Sequence, residues 1–515
     1  MNRTSEQGLI RPALAALKWN YLGVAARTAS SFIIGIVLAR LLGPKPFGEV
    51  AVAWLVIGLG NLMADCGFGA ALVQRRDLST DDVRFVFTAQ LALGVLLTGI
   101  LAAAAPLVAS IFRQPEVTPI VRALAVIFAL QGFGLTSQNL LKRDLAFRKL
   151  QIAQVVSYLV GYLALGIPLA CLGFGVWSLV SAQLAQSTLN SALLFWAAGH
   201  SLRPKLVHPR RELTSFGGKV IAVNLVNFAI GNVDTAVVGR AFGAISLGLY
   251  NRSMVLMMAP MNAVVSTLQA VLFPVYSRVQ AKPDSLRRGF LTSLAAVALF
   301  IFPVFFTVAA IPRTFIEGLY GHRWIAAVPL LVPIALARPF HASMALAGPL
   351  LWGVGKVEQE LRVQITIVLI TIPALLAASR FSLSAVAWTI FAILVLQSVL
   401  MARPALQAAG VSWRDAWRVM RGAALLSAAL AVGIWTLDHT VFASIATPIR
   451  LLADLCLVAA LSGALLWLTP DLFVCDELIH LLRQPSAPEW IKRFFLRSKD
   501  FGIEAAIEPL DRTIA

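Results

Sequence analysis

The chain has 515 residues, of which 59% are apolar and only 13% charged, and its mean hydropathy is +0.80. Soluble domains carry about 25% charged residues, so an aqueous globular fold is excluded and a polytopic membrane protein is indicated. The net charge of +18 would suggest a nucleic-acid partner in a soluble protein; here the positive residues follow the membrane topology, and no nucleic acid is expected.

Apolar stretches of membrane-spanning length begin at 18–40, 47–73, 85–110, 118–140, 151–172 and 175–198. The first of them contains Arg27 and lacks a cleavage site, so it reads as a retained helix and not a signal peptide. A polar stretch holding Arg203, Lys205, Arg210 and Arg211 follows. Six more spans are predicted at 216–240, 250–275, 289–311, 325–351, 362–379 and 382–402, and two further ones at 421–437 and 448–469. The expected fold is all-α and polytopic, with about fourteen transmembrane helices. Most Lys and Arg fall in alternate loops, among them Arg75, Arg143, Lys149, Arg287, Arg403 and Arg418. The positive-inside rule then places both termini in the cytoplasm.

Residues 38–48 (LARLLGPKPFG) and 238–248 (VGRAFGAISLG) share Arg40/Arg240, Gly43/Gly243 and Gly48/Gly248 at an offset of 200. Each set lies where the first helix of a six-helix half turns into the second. Because six is even, the halves would run parallel, related by an axis along the membrane normal. The expected organisation is an N-lobe at 1–210, a C-lobe at 211–410, and a region at 411–515 with two further spans and a cytoplasmic tail. In that tail Trp490, Ile491, Phe494 and Phe495 interleave with Lys492, Arg493 and Arg497, the composition of an interfacial helix.

Intramembrane polar residues are where chemistry is expected. Burying a charge at bilayer depth costs about 2.5–3.5 kcal/mol even on insertion scales, so Arg27 is expected to face a cavity that receives something anionic. At 100° per residue Asn20, Arg27 and Ser31 share one face. The seventh helix presents Asn224, Asn227 and Asp234, with Asn227 at the repeat position of Arg27. Asn61 and Asp65 lie on the second helix; Arg252 and Gln269 lie on the eighth. Arg27 and Arg252 are the candidate anion ligands, and Asn20, Asn61, Asn224, Asn227 and Gln269 the candidate polar lining. Asp65 and Asp234 are candidates for ion coupling or for charge balance. The competing reading of each amide is interhelical hydrogen bonding, worth about 0.6 kcal/mol on average. Arg40 and Arg240, beside turn glycines, read as structural.

Enzyme signatures are missing: the sequence has neither a phosphate-binding Gly-rich loop with Lys-Ser/Thr in a strand-to-helix context nor H-E-x-x-H, and its six histidines lack ligand spacing. Cys66, Cys171, Cys456 and Cys475 show no metal or redox spacing. No metal or cofactor is expected.

The stretches LARLLGPKPFGEV (38–50), GFGAALVQR (67–75), QNLLKRDLAFRKL (138–150), NVDTAVVGRAFG (232–243), LGLYNR (247–252) and FPVYSR (273–278) resemble Wzx-type polysaccharide flippases of the multidrug/oligosaccharidyl-lipid/polysaccharide exporter superfamily. The resemblance implies two six-helix lobes around a central cavity, with basic residues on the first and eighth helices, where Arg27 and Arg252 fall. It implies alternating-access translocation of undecaprenyl-diphosphate-linked oligosaccharide across the bacterial inner membrane. The implied destination is exopolysaccharide, capsule or O-antigen, with membrane lipid, a polymerase and a chain-length regulator as further partners. A cation-coupled multidrug exporter of the same superfamily, a membrane polysaccharide polymerase and a non-transporting scaffold are the alternatives. The first would call for a cavity dominated by acidic groups, the second for a larger outer loop.

Overall fold

The computed structural model describes residues 3–64, 78–205, 217–442 and 444–468, together with Leu72 and Phe473; side chains at 3–14, 63–64, 217–227, 229–230, 263, 267 and 270 lie outside the description. Asp65, residues 206–216 and the tail helix predicted near 490 fall outside it as well. Among the described residues the fold is helical throughout, without a strand. Eleven of the described helices are long and apolar enough to cross a membrane. This is a multi-pass, all-α membrane protein. The described residues form two compact units. One comprises Met1–Val255, Leu319–Ala327 and Ile372–Val386; the other comprises Leu256–Gly318, Val328–Thr371 and Ala387–Ala515.

In the first unit the chain runs through α1 (Arg3–Leu42), α2 (Pro44–Ala64), α3 (Thr80–Phe112), α4 (Val117–Ala125), α5 (Ile127–Arg143) and α6 (Phe147–Tyr158). A π-helical stretch, Leu159–Gly166, leads into α7 (Ile167–Cys171), and α8 spans Val176–Ala198. Ser79 and Asp82 form a reciprocal capping box that starts α3 and satisfies two of the free amides of its first turn. Val95, Leu96, Ile100, Leu107 and Ile111 make an exposed apolar stripe on α3. In water such a face would drive association; in a bilayer it is the lipid-facing surface. The polar groups turn inward instead, as where Thr136 of α5 donates to Gln90 of α3 at 2.5 Å with both side chains buried.

α9 (Gly217–Val279) is broken at Gly243, whose φ of 78° and ψ of −174° suit a residue without Cβ. Its repeat counterpart Gly43, between α1 and α2, has φ 73°. Five residues further on, Gly48 and Gly248 let the two turns approach each other reciprocally. A Cβ on Gly48 would come 2.6 Å from the carbonyl carbon of Ala244, and one on Gly248 would come 2.8 Å from that of Pro44, each closer still to the carbonyl oxygen. The 200-residue repeat is therefore a repeat of backbone conformation, and its two copies pack against one another.

In the second unit α10 (Pro283–Ala310) follows, then α11 (Pro312–Tyr320), whose last residues already belong to the first unit. After the 3-10 turn His322–Ala327 come α12 (Val328–Met344), α13 (Ala347–Gly353), α14 (Val357–Ala378), α15 (Leu383–Ala409), α16 (Trp413–Thr440) and α17 (Thr447–Leu468). α10 packs along α16. Val419, Ala423, Leu426, Leu430 and Ile434 form the buried stripe of α16 at three- and four-residue spacing. A Ser412–Asp415 capping box starts α16, and Arg287 of α10 pairs with the same Asp415 at 2.9 Å.

A cationic, tyrosine-lined cavity

α1 and α6 lie side by side and parallel. Arg148 stacks its guanidinium on Trp19 with 5.2 Å to the ring centroid, Gln151 donates to Asn20 at 2.9 Å, and Arg27 donates to Gln154 at 3.4 Å. Continuing along both helices, Ser31 and Gly35 on one and Tyr158 and Tyr162 on the other line a cavity of about 410 Å³. Asn20, Arg27 and Ser31 thus share one face, as their spacing predicts. Arg27 is exposed one turn before Ser31 and is not among the cavity-lining residues.

Arg252 is the cation of the cavity. Its guanidinium lies over Phe47, 3.7 Å from the ring centroid, where the negative face of the ring attracts it. Phe47 in turn packs on the fully buried Trp324 at 5.8 Å, and Tyr320 packs on the other part of that indole at 5.1 Å. The titratable groups facing Arg252 are three phenols, Tyr320, Tyr162 and Tyr158, and Tyr320 is its hydrogen-bond partner. Its Nε is buried without a partner. Among the described residues no carboxylate neutralises it. A cation placed so, on an aromatic floor and with unspent donors, is poised for an anion with planar or tetrahedral oxygens.

The walls complete that chemistry. Tyr158 and Tyr162 stack at 4.8 Å with 26° between their planes, which the π-helical stretch permits by bringing Tyr162 beneath its neighbour. Tyr162 donates to Gln183 of α8 at 2.7 Å. Asn232, Thr235 and Asn251 supply amide and hydroxyl groups, while Phe47, Val50 and Trp54 supply apolar surface.

The segment carrying Tyr320 and Trp324 is held by the end of α1. Trp324 Nε1 donates to the carbonyl of Ala39 at 2.9 Å, Arg323 to that of Leu41 at 3.2 Å, and Arg40 reaches back to the carbonyl of Leu319 at 2.6 Å. Arg323 satisfies a carbonyl that the helix C-terminus leaves free, Trp324 shares the Ala39 carbonyl with the Gly43 amide, and together they fix the ring that supports Phe47.

Of the other residues predicted for the site, Asp234 accepts from the Tyr250 hydroxyl at 2.6 Å and the Thr235 amide at 2.7 Å. Gln269 donates to the Ala345 carbonyl at 2.7 Å, within the second unit. Asn61 is exposed on α2. The side chains of Asn224 and Asn227, and all of Asp65, lie outside the described residues. Sequence reasoning did not single out Phe47, Trp54, Tyr162 or Tyr320. The available signal was the cluster of aromatic residues within one turn of the repeat glycines, at 47 and 250, and at 158 and 162 on one face.

Fold and cavity together define an α-helical membrane protein whose polar interior is cationic and aromatic. Residues 37–329 match the polysaccharide biosynthesis protein family, and the chain belongs to it, in agreement with the resemblance drawn from its motifs. It is 26% identical over 404 residues to the teichuronic acid biosynthesis protein TuaB of Bacillus subtilis, covering 77% of this chain and 82% of that protein. It is 26% identical over 342 residues to the succinoglycan biosynthesis transport protein ExoT of Rhizobium meliloti, covering 66% and 68%. Its fold is similar to that of the lipid II flippase MurJ in an inward closed conformation, with a TM-score of 0.66 at 11% identity over 88% of this chain and 99% of that one.

Proposed function

We propose that the protein is a flippase that carries undecaprenyl-diphosphate-linked oligosaccharide from the cytoplasmic to the periplasmic leaflet of the bacterial inner membrane, for exopolysaccharide, capsule or O-antigen synthesis. The observation that carries this reading is the uncompensated Arg252 in its cavity of tyrosines and amides. A diphosphate in a low-dielectric passage needs a cation that keeps its proton, and arginine does so with paired donors. The sugars find hydroxyl and amide partners in Ser31, Asn232 and Asn251 and flat apolar faces in the Tyr158–Tyr162 stack. The prenyl chain stays in lipid. The polysaccharide-related names of the relatives and the flippase with a similar fold support the same substrate class.

In this reading Arg27, one turn from the cavity, meets the diphosphate on its way to or from Arg252. Asn20 holds Gln151 in place, and Asp234, already saturated by Tyr250 and Thr235, balances charge. Asn61, Asn224, Asn227 and Gln269 add polar surface along the passage, and Asp65 couples an ion or balances charge. Residues 1–210 and 211–410 act as lobes that rock about the cavity, with 411–515 as an accessory region and both termini in the cytoplasm. Polymerase and chain-length regulator take the product on the far side.

The test is reconstitution in liposomes with a fluorescently labelled polyprenyl-diphosphate oligosaccharide, scoring accessibility of the sugar to an outside quencher. Arg252→Ala should slow exposure about 100-fold, since it removes two charge-assisted hydrogen bonds worth about 1.5–3 kcal/mol each in part of the path. Arg252→Lys should keep an intermediate rate. Equal rates for wild type and Arg252→Ala, with both proteins folded, would refute the proposal.

A further inference from the structure

The ends of the last two described helices hold a group of charges that the proposed transport does not use. Asp438 near the end of α16 is 2% exposed, and Asp454 in the second turn of α17 is 0% exposed. Asp438 has two side-chain donors. The Thr314 hydroxyl reaches both its oxygens, at 2.9 and 3.1 Å, and Arg450 makes an ion pair with it while also donating to its backbone carbonyl. Asp454 is the opposite case: its carboxylate lies within hydrogen-bonding reach of Asp438, both its oxygens are buried, and neither accepts a hydrogen bond.

Among the described residues, charged and titratable groups face the pair from three helices. α17 contributes Arg450, and α11 contributes Glu317, which Arg313 approaches at 3.4 Å. α16 contributes His439, 3.7 Å from Asp438 but exposed and hydrogen-bonded to the Trp435 carbonyl at 2.8 Å. Arg450 is committed to Asp438 by the ion pair and by its bond to the backbone carbonyl, which leaves Asp454 without a cation of its own. An unpaired buried carboxylate costs several kcal/mol, and two carboxylates sharing one site do not both ionise.

We propose that Asp438 and Asp454 hold a single proton between them and form a proton-binding site on α16 and α17. The proton adds to one oxygen of Asp454, the resulting O–H donates to Asp438, and the charge of the carboxyl pair goes from minus two to minus one. A metal ion fits less well. Thr314 and Arg450 already donate to Asp438, and two carboxylates offer at most four oxygens, short of the six or so that a hard cation takes. Among the described residues no cluster of three or more His, Cys, Asp or Glu forms a metal site. The inference is independent of what the protein transports.

The test uses the purified full-length protein in detergent. Infrared difference spectra across a titration from mildly acid to alkaline buffer should show one carboxyl C=O band that disappears with rising pH and shifts in heavy water. Asp454→Asn should lack that band and yet melt at the wild-type temperature in mildly acid buffer and above it in alkaline buffer, because the neutral amide reproduces the protonated acid. Asp438→Asn should melt lower throughout, because half-buried Arg450 loses its carboxylate partner. Persistence of the band in folded Asp454→Asn overturns the proposal, as does failure of Asp454→Asn to fold. A melting temperature that rises when sodium replaces choline in wild type but not in Asp454→Asn also overturns it, in favour of a cation site.

Discussion

Replacing Gly48 and Gly248 by alanine, singly and together, tests the reciprocal packing of the repeat turns. A methyl group on Gly48 would stand 2.6 Å from the Ala244 carbonyl carbon, and one on Gly248 would stand 2.8 Å from that of Pro44. Carbon atoms rest about 3.5–4.0 Å apart, so either alanine forces the turns to separate by roughly 1 Å or more, a gap that forfeits a quarter to a half of each facing contact. Overpacking of this kind costs about 1–3 kcal/mol, and the shortness of both approaches puts each variant at the upper end. The approach is shared, so the separation that accommodates the first methyl also makes room for the second. The double variant should therefore cost about as much as the worse single one, with a coupling of about 2 kcal/mol in place of the near-additivity of independent sites. Thermal denaturation in one detergent, with abundance in the membrane as a second readout, measures all three. Additive losses, or wild-type stability in either single variant, would refute the reciprocal contact.

Phe47→Leu should keep the fold but weaken anion binding at Arg252 several-fold, through loss of a cation–π contact worth about 1–2 kcal/mol; titration with a soluble prenyl-diphosphate analogue measures it. Trp324→Phe keeps a ring against Phe47 but removes the indole donor to Ala39, and should lower stability by about 1 kcal/mol in the same melting assay. Burial holds His200 below the ordinary histidine range, between Phe87 and Phe195 and beside the Ser137 hydroxyl. The folded protein then binds fewer protons than the unfolded chain, so stability from this group is complete above a pH of about 6.5 and is lost as the pH falls through and below it. His200→Phe should flatten that part of the melting profile. A thiol reagent that cannot cross membranes, applied from the periplasmic side, should label the exposed Cys171.

What could be read from the chain depended on whether the cause was local. Hydrophobic length marks helices wherever they occur, and residues 200 apart with the same turn chemistry can be matched by eye, so the all-α membrane fold and the Gly43/Gly243 breaks were legible. So was the shared face of Asn20, Arg27 and Ser31, because helical periodicity alone fixes it. Arg252 was visible as an intramembrane charge, yet its surroundings were not. Tyr320 and Trp324 lie about seventy residues away in sequence, and only the closure of α1's carbonyls by Arg323 and Trp324 brings them under Phe47. Tyr162, by contrast, was within reach of the sequence, since its four-residue spacing from Tyr158 puts both on one helix face.

The π-helical stretch Leu159–Gly166 works as a phase adjuster. Each hydrogen-bonded ring there encloses one residue more than an α-turn, so the part of the helix before it, carrying Gln151, Gln154 and Tyr158 toward α1, is turned relative to the part after it by roughly the angle of one residue, about 100°. Adding a residue with no further widened turn to absorb it would swing either the α1-facing ladder or the α7 end out of its place, whereas removing one would restore a regular helix with both flanks in phase but without the widened turn. Relatives that keep the widened turn are expected to keep the spacing between residues 151 and 171, and relatives one residue shorter there to carry a regular helix in its place.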